Sequence, residues 1–424
     1  MNAIMNKIEN TLLPIANKIG ANRYLMALRD GMVASMPMMM IGSILLVITE
    51  LPIESYQNFM SGLFGEGWKW FSDAGTSATI GLAAIFAIVG ISTSLAVRHH
   101  KDTVMAIIIS LGSYFAVLVQ LDSGGFVAND FGAKGLFAAM IIALISTELY
   151  SYIVDKNITI KMPSSVPPAI AKSFEALIPA AIIIPIFLIV RFIFAQSSFG
   201  SVNNFILNML QVPLTGITCT YGGIMLSTFL SHLLCFFGLH GASIVGAVFG
   251  PMLQVAGLAN LEAFQAGLPL PNIVTQQFND IFQTFGGVGS TLGLAFMMAF
   301  FCKSKQVKTL GRLALVPGIF GINEPLVFGL PLVLNPFLMI PFFITPLINI
   351  TLAYFATAFG LIGTTTGVAV TWSMPPLLSG ILGTNTISAG ILQVIAILLS
   401  LVIYYPFIKA YDRKMLKEEE ALDE

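Results

Sequence analysis

The chain has 424 residues, of which 56% are hydrophobic and only 10% are Asp, Glu, Lys or Arg, and its mean hydropathy is +0.87. Soluble domains carry about 25% charged residues, because a folded surface needs them to stay in water. The formal net charge of −1 also provides no basic field for a phosphate backbone. The composition therefore excludes a soluble globular enzyme, a disordered chain and a nucleic-acid binder. It predicts an all-α protein embedded in the lipid bilayer.

Ten apolar stretches approach the roughly 20 residues that a membrane-spanning helix needs. In chain order they are Gly31–Ile48, Ala74–Val97, Thr103–Leu121, Gly135–Val154, Ala176–Phe194, Gly216–Phe237, His240–Leu258, Gly286–Phe301, Phe337–Ala358 and Ile387–Ile408. Residues 31–196 contain five smooth spans and are interpreted as a scaffold half. Residues 197–410 hold nearly all the unusual polar residues and are interpreted as a transport half. Residues 1–30 are predicted to be an amphipathic lead-in, and residues 411–424 a charged tail.

The basic residues orient these spans, because Lys and Arg concentrate in cytoplasmic loops. With both termini in the cytoplasm, 17 of the 20 basic residues fall on the cytoplasmic side. The opposite loops are mainly acidic, with Lys69 and Lys134 as exceptions, and Arg191 lies near the outer end of the fifth span. The sequence therefore predicts a multi-pass cell-membrane protein whose two termini are both cytoplasmic.

Two further apolar stretches do not fit as spans. Counting either Leu313–Pro336 or Gly360–Thr386 as a crossing would move a basic loop to the outside, and both are rich in Gly, Pro, Thr and Asn. Non-helical backbone at membrane depth is tolerated only where protein or a cavity surrounds it. We therefore predict two re-entrant hairpins, one from each face, a pattern typical of a transport site near the midplane. The alternative is two loops lying on the membrane surface.

Glu324 is the residue of the first predicted hairpin whose exposure to lipid would be the most unfavourable. A carboxylate amid apolar neighbours is strongly unfavourable if it faces lipid, so it must face protein or water. Pro325 prevents a helix from continuing through Glu324, which places the carboxylate at a break in the backbone. We expect Glu324 to contact a ligand. The alternative is that it caps the helix that follows.

Two more side chains are expected at the same site. His240 lies between glycines in the motif GLHG at 238–241, where backbone and ligand can approach closely. Trp372 lies inside the second predicted hairpin, and a flat indole ring matches the apolar C–H face of a sugar. The alternatives are a structural histidine and a core tryptophan.

Uncharged amides suit a neutral ligand that is rich in hydroxyl groups. Three of them complete the predicted substrate-binding set: Asn279, Asn335 and Asn385. The three cysteines lie in apolar surroundings without a CxxC pattern, and the four histidines include no HExxH pattern. We therefore expect neither a metal site nor a cofactor.

At these residues the sequence resembles the enzyme IIC components of the sugar phosphotransferase systems. The stretch GINEP at 321–325, preceded by LVPGIF and followed by LVFGLPLVLNP, is similar to the signature of that family. The stretch MPSSVPPAIAKSFEALIP at 162–179, GLHG around His240 and TWSMPP around Trp372 are similar to its lactose, cellobiose and diacetylchitobiose branch. The resemblance extends over residues 5–411.

The resemblance implies a bacterial permease of about ten transmembrane helices and two re-entrant hairpins that forms a homodimer through residues 31–196. A disaccharide would bind in residues 197–410, at His240, Glu324 and Trp372. A separate IIB protein would phosphorylate the sugar from a phosphocysteine on the cytoplasmic side, since we expect no IIB domain in this chain.

Glu324 would accept the sugar hydroxyl proton, and His240 would bond the same region and, if protonated, neutralise the phosphate. The residues alone leave one alternative open, a proton-coupled secondary transporter of an uncharged solute. Glu324 and His240 would then be its coupling pair.

Overall fold

The structure is a computed structural model that describes residues 14, 17–50, 54–65, 67–163, 165–330 and 338–423. Within these ranges it is helical and contains no β-strand; one isolated antiparallel bridge joins Gln120 and Phe126. The α-helices are α1 (Arg23–Glu50), α2 (Glu54–Phe64), α3 (Trp70–Ala78), α4 (Ala83–Arg98), α5 (Thr103–Val117), α6 (Ala133–Asp155), α7 (Pro168–Ala195), α8 (Val202–Ile206), α9 (Val212–Thr218), α10 (Tyr221–Phe236), α11 (Gly241–Gln265), α12 (Gln276–Phe282), α13 (Leu292–Phe301), α14 (Lys305–Ile319), α15 (Glu324–Gly329), α16 (Met339–Ala358), α17 (Leu378–Thr384) and α18 (Ile387–Asp423).

Seven helical segments in the described ranges are long and apolar enough to cross a membrane, which confirms the all-α membrane class. Each overlaps one of the predicted spans. They are Arg23–Thr49, Trp70–Arg98, Ala133–Asp155, Pro168–Ala195, Gly241–Gln265, Met339–Ala358 and Ile387–Ala421.

The other three predicted spans are short or broken. The predicted span Gly216–Phe237 corresponds to a bent pair, in which the segment Val202–Thr218 meets α10 at 70°. The apolar helices α5 and α13 have 15 and 10 residues. At about 1.5 Å per residue, α13 is roughly 15 Å long, half the hydrocarbon thickness of a bilayer. The count of ten transmembrane helices therefore stays a prediction.

The chain divides into two compact units. The first contains Ile19–Gly216 and Gly250–Ala259, and the second contains Ile217–Phe249 and Asn260–Glu424. The predicted division near residue 196, and the scaffold and transport roles of the two halves, stay predictions.

Close helix packing marks the first unit. A Cβ added at Gly31 in α1 would lie 2.5 Å from the backbone nitrogen of Ile91 in α4. A Cβ added at Gly90 would lie 2.5 Å from the carbonyl oxygen of Gly31. Because neither contact can be relieved by a side-chain movement, glycine is required at both positions for these helices to approach so closely.

Ion pairs link the helix ends of the first unit on the side with the predicted cytoplasmic loops. The five pairs are Arg23–Glu148 at 3.1 Å, Arg98–Asp30 at 2.6 Å, His99–Glu148 at 2.7 Å, Lys101–Asp155 at 2.5 Å and Lys172–Asp102 at 2.8 Å. The basic turn 98–102 is thus paired with acidic residues of α1 and α6 and with Lys172 of α7.

The second unit is built from helices that irregular segments interrupt. The described part of the first predicted hairpin, Leu313–Pro336, contains the end of α14, a turn and α15, and its residues 331–336 lie outside the described ranges. The second, Gly360–Thr386, runs without regular structure to Leu377 and then forms α17. Both segments are broken as predicted, whereas their re-entrant path stays a prediction.

Two helices extend beyond the boundaries that hydropathy predicts. The basic stretch 303–312 is not a loop, because helix α14 begins at Lys305, with Ser304 accepting a hydrogen bond from the Val307 N–H at its N-terminus. The charged residues 411–423 continue α18, which runs as one helix from Ile387 to Asp423, and their role as a cytoplasmic tail stays a prediction. Helices α14 and α18 both include charged sequence beyond the ends of the apolar stretches.

Candidate functional site

Helices α13 and α14 form a hairpin whose open end carries the turn that precedes Glu324. The two helices touch at Gly311, where an added Cβ would lie 2.5 Å from the backbone nitrogen of Ala299. Residues 302–304 make the tight connection at the closed end. The open end therefore brings residues 286–291, which precede α13, close to residues 320–324, which follow α14.

Asn323 fastens this open end. Its side-chain Nδ2 donates to the carbonyl oxygen of Val288 at 2.7 Å and to the Oγ1 of Thr291 at 3.0 Å. The Asn323 side chain lies directly against Gly287, whose added Cβ would be 2.5 Å from its Cγ, and only 5% of Asn323 is exposed. The backbone on either side of Glu324 is thus held by a neighbouring amide rather than by a continuous helix.

Glu324 is the first residue of α15, and its carboxylate is exposed. Within the described ranges it has no hydrogen-bond or ion-pair partner. The capping position of α15 is taken by Asn323, whose side chain makes no capping bond because it is committed to Val288 and Thr291. Its contact with a ligand stays a prediction.

Trp372 packs against the turn that leads to Glu324. An added Cβ at Gly321, a residue with φ of +78°, would lie 3.2 Å from the Trp372 carbonyl oxygen and 3.4 Å from the ring atom Cε3. Although one edge of the indole contacts this turn, 62% of the residue is exposed. Most of Trp372 therefore lies outside the packed core, and its indole ring offers a flat apolar surface next to the segment that contains Glu324.

His240 caps the N-terminus of α11. Its Nδ1 accepts from the Ser243 N–H at 3.2 Å and lies 2.8 Å from the Ser243 Oγ. Because Nδ1 is engaged by Ser243, Nε2 is the ring nitrogen that exposed His240 can offer to a ligand as a donor. The adjacent Gly241 serves packing, because an added Cβ would overlap the Ser231 carbonyl group of α10. Hydrogen bonds of His240 to Glu324 or Trp372 are absent from the described ranges.

The three candidate amides differ in setting. Asn279 is half-buried in α12, where its Nδ2 donates to the neighbouring Asp280 carboxylate at 3.3 Å. Asn385 ends α17 in the left-handed conformation with φ of +55°, a role that asparagine tolerates better than most residues. Asn335 lies outside the described residues.

Sequence reasoning missed the amides that hold the irregular backbone. Gln393 of α18 is fully buried, and its Oε1 accepts from the N–H groups of Leu377 at 2.7 Å and Gly380 at 3.0 Å. Its Nε2 donates to the Ile281 carbonyl and the Ser379 hydroxyl, both at 2.9 Å. A lone amide inside an apolar helix was the signal that could have revealed it.

Comparisons with known proteins identify the family of the chain. Residues 29–346 match the family model described as phosphotransferase system, EIIC. The lichenan permease IIC component of Bacillus subtilis (strain 168) is 42% identical, over 100% of this chain and 97% of its own length. The cellobiose-specific EIIC component of Geobacillus stearothermophilus is 40% identical, over 99% of this chain and 97% of its own length.

A solved structure is also similar. The transporter ChbC, the IIC component of the N,N'-diacetylchitobiose-specific phosphotransferase system, has a TM-score of 0.94 and 41% sequence identity. The match covers 97% of this chain and 99% of that one. The family match covers most of the chain and includes the turn between Gly321 and Pro325. The chain belongs to the phosphotransferase system EIIC family of membrane sugar permeases.

Proposed function

We propose that this permease binds a disaccharide of the cellobiose, diacetylchitobiose or lactose type and moves it inward for phosphorylation by a phosphorylated IIB protein. One observation carries the proposal: the exposed Trp372 indole lies against the turn before Glu324, whose carboxylate has no partner among the described residues. An aromatic face beside a carboxylate acceptor suits a sugar, which has apolar C–H faces and hydroxyl donors. The names of the similar permeases support the same substrate class.

The proposed chemistry assigns one role to each side chain. A sugar hydroxyl oxygen attacks the phosphorus of the IIB phosphocysteine, the new O–P bond forms, the S–P bond breaks, and the thiolate stays on IIB. The hydroxyl proton passes to Glu324, which acts as general base. His240 donates from Nε2 to a sugar oxygen and orients the ring, because its Nδ1 is occupied by Ser243. In this arrangement it serves positioning rather than charge neutralisation.

The remaining architecture is part of the same proposal. Ten transmembrane helices with two re-entrant hairpins would place both termini in the cytoplasm of a bacterial cell. Residues 31–196 would form the homodimer interface, and residues 197–410 would move the sugar. The close helix packing at Gly31 and the broken segments around Glu324 support this division of labour.

The substitution Glu324→Gln tests the proposal. Gln keeps the shape and a carbonyl acceptor but cannot take a proton, so we expect retained sugar binding and at least about tenfold less phosphosugar. Binding is measured by calorimetry on purified protein, and phosphosugar is counted in membrane vesicles supplied with phosphorylated IIB. Production of phosphosugar at the parent rate would exclude Glu324 as the base.

A control removes the IIB protein. The proposed mechanism predicts no accumulation of free sugar in such vesicles, with or without a proton gradient. Accumulation of free sugar against its gradient would instead support proton-coupled transport, with Glu324 and His240 as the coupling pair.

A further inference from the structure

The charged C-terminal part of α18 is hydrogen-bonded to the closed end of the α13–α14 hairpin. Asp412 and Glu419 are seven residues apart, which is about two helical turns, so both carboxylates project from one face of α18. Both meet the start of α14. The last apolar residue of the predicted span is Ile408, so these contacts are made by the charged sequence beyond it.

Asp412 binds the connection between the hairpin helices. Its two carboxylate oxygens accept from the Lys303 N–H, each at 3.0 Å, and Oδ1 also accepts from the Ser304 N–H at 3.0 Å. Only 3% of Asp412 is exposed. A buried carboxylate is stable only when hydrogen bonds replace its water, and here backbone amides supply them.

Glu419 binds the first turn of α14. Its carboxylate accepts from the Ser304 hydroxyl at 2.7 Å, the Gln306 N–H at 2.9 Å and the Lys305 N–H at 3.0 Å. These amides are among those that a helix N-terminus leaves without intrahelical partners, and negative charge is favourable there.

Lys409 of α18 binds the end of the other hairpin helix, α13. Its Nζ donates to the Phe301 carbonyl at 2.6 Å, at the last residue of α13. A cation is favourable at a helix C-terminus, as an anion is at an N-terminus. The clamp, defined as Lys409, Asp412 and Glu419, therefore matches the charge of both helix ends that meet at the turn.

The same helix also reaches the open end of the hairpin. The Tyr404 hydroxyl donates to the Gly289 carbonyl at 2.7 Å. Gly289 lies next to Val288, which Asn323 holds beside Glu324. Helix α18 is therefore bonded to the hairpin near the site and at the clamp, about 20 Å away along the 15-residue α14.

We propose that Asp412 and Glu419 are positioning residues for Glu324. By fixing the start of α14 against α18, they set where α14 ends, and thus where the Gly321–Pro325 turn presents the carboxylate. The inference rests on the proposed role of Glu324. It adds that residues beyond the last apolar segment tune the geometry of phosphoryl transfer.

Trp372 allows the test to be made without any sugar chemistry. Replacing Trp68 and Trp70 by Phe leaves Trp372 as the single tryptophan, beside Gly321. In this parent, Glu419→Gln should change the Trp372 emission maximum and its quenching by acrylamide. It should also lower kcat for sugar phosphorylation by about tenfold with little change in KM, as misplacement of a reacting group does.

Glu418→Gln is the matched control, because Glu418 lies on the exposed side of the same turn and forms an ion pair with Lys414 of its own helix at 3.6 Å. It should leave emission and kcat at the parent values. Ser304→Ala removes a hydroxyl that Glu419 accepts from, and should shift the emission in the same direction as Glu419→Gln.

The proposal fails if either Glu419→Gln or Ser304→Ala lowers the melting temperature while Trp372 emission and kcat stay at parent values. It also fails if Glu418→Gln changes Trp372 emission and kcat as much as Glu419→Gln does. A parent protein that makes no phosphosugar would contradict the proposed function, but the emission measurements would still decide whether the clamp positions the turn.

Discussion

In the first compact unit, long helices cross at glycine, as at Gly31 and Gly90, and ion pairs join their ends. In the second unit, helices stop inside apolar sequence, and buried amides such as Gln393 bond to the backbone that is left. Asn260 shows the same pattern, because it donates to the carbonyls of Asn272 and Thr365, both at 2.7 Å, and accepts from the Asn272 N–H at 2.9 Å.

The difference follows from the number of backbone N–H and C=O groups that each unit must pair with hydrogen bonds. A complete helix bonds its own N–H and C=O groups, so the first unit needs only small residues to pack. A broken segment leaves backbone groups unpaired, and these are costly where water is absent. The second unit satisfies them with amides, which allows irregular backbone at Gly321 and Trp372. The described candidate residues all lie in this unit.

The largest effect is expected where an amide of the second unit is removed. Gln393→Leu would leave the N–H groups of Leu377 and Gly380 and the Ile281 carbonyl without their partner. Leu377 has φ of +75°, a strained conformation for a bulky residue that this hydrogen bond helps to hold. We expect the free energy of unfolding to fall by about 3 kcal/mol, which would be measured as a lower melting temperature of the detergent-solubilised protein.

Val394→Leu is the matched control for Gln393→Leu, because Val394 is the neighbouring residue and is exposed. It should leave the melting temperature unchanged. Equal melting temperatures for Gln393→Leu and the parent protein would show that the buried amide is not what holds the second unit.

Helix crossing in the first unit is probed at Gly31. Gly31→Ala would press a methyl group against Ile91, and because the obstacle is backbone, α1 and α4 must separate. Overpacking of this kind costs about 1–3 kcal/mol. Gly62→Ala, within α2 and with no atom inside 4 Å of the added Cβ, should be neutral or stabilise by up to about 1 kcal/mol. Similar melting temperatures for the two variants would contradict a tight crossing.

Sugar affinity separates the two units by function. Trp372→Ala should weaken disaccharide binding by about 1–3 kcal/mol, and Trp372→Phe should lose less, because a smaller ring still stacks. Trp70 is an exposed tryptophan of the first unit, so the variant Trp70→Ala should bind sugar as the parent does. Calorimetry on the three variants checks this, and unchanged affinity in Trp372→Ala would exclude stacking.

The smallest effect is expected at an ion pair of the first unit. Lys172→Met removes the partner of Asp102, and because 57% of the lysine side chain is exposed to solvent screening, the melting temperature should fall only slightly. A loss as large as that of Gln393→Leu would mean that ion pairs, and not helix crossings, hold the first unit.

The same pair has a pH dependence with a definite sign. Burial raises the pKa of Asp102, but hydrogen bonds from Lys172 and the Met105 N–H outweigh it, so the pKa lies below its ordinary value. A lowered carboxyl pKa stabilises the fold above the unfolded value, and this contribution is lost as the pH falls through the folded pKa. The difference in melting temperature between the parent and Lys172→Met should therefore shrink below about pH 4.

Much of the candidate site could be predicted because its residues are chemically out of place. A carboxylate in apolar sequence at Glu324, a histidine between glycines at His240 and a tryptophan in a Pro-rich break at Trp372 are all visible without coordinates. The supporting residues were not visible in the same way. Asn323 and Gln393 are ordinary amides until the groups to which they donate are known.

Hydropathy and local motifs predict the membrane class, seven of the spanning helices, the two broken segments and the family, because both are properties of residues that are neighbours in the chain. The start of α14 within the basic stretch and its hydrogen bonds to α18 depend on tertiary contacts, since Asp412 and Lys303 are more than 100 residues apart. The bond from the Ser243 N–H to His240 Nδ1 is likewise a contact of the folded helix end, which hydropathy does not reveal.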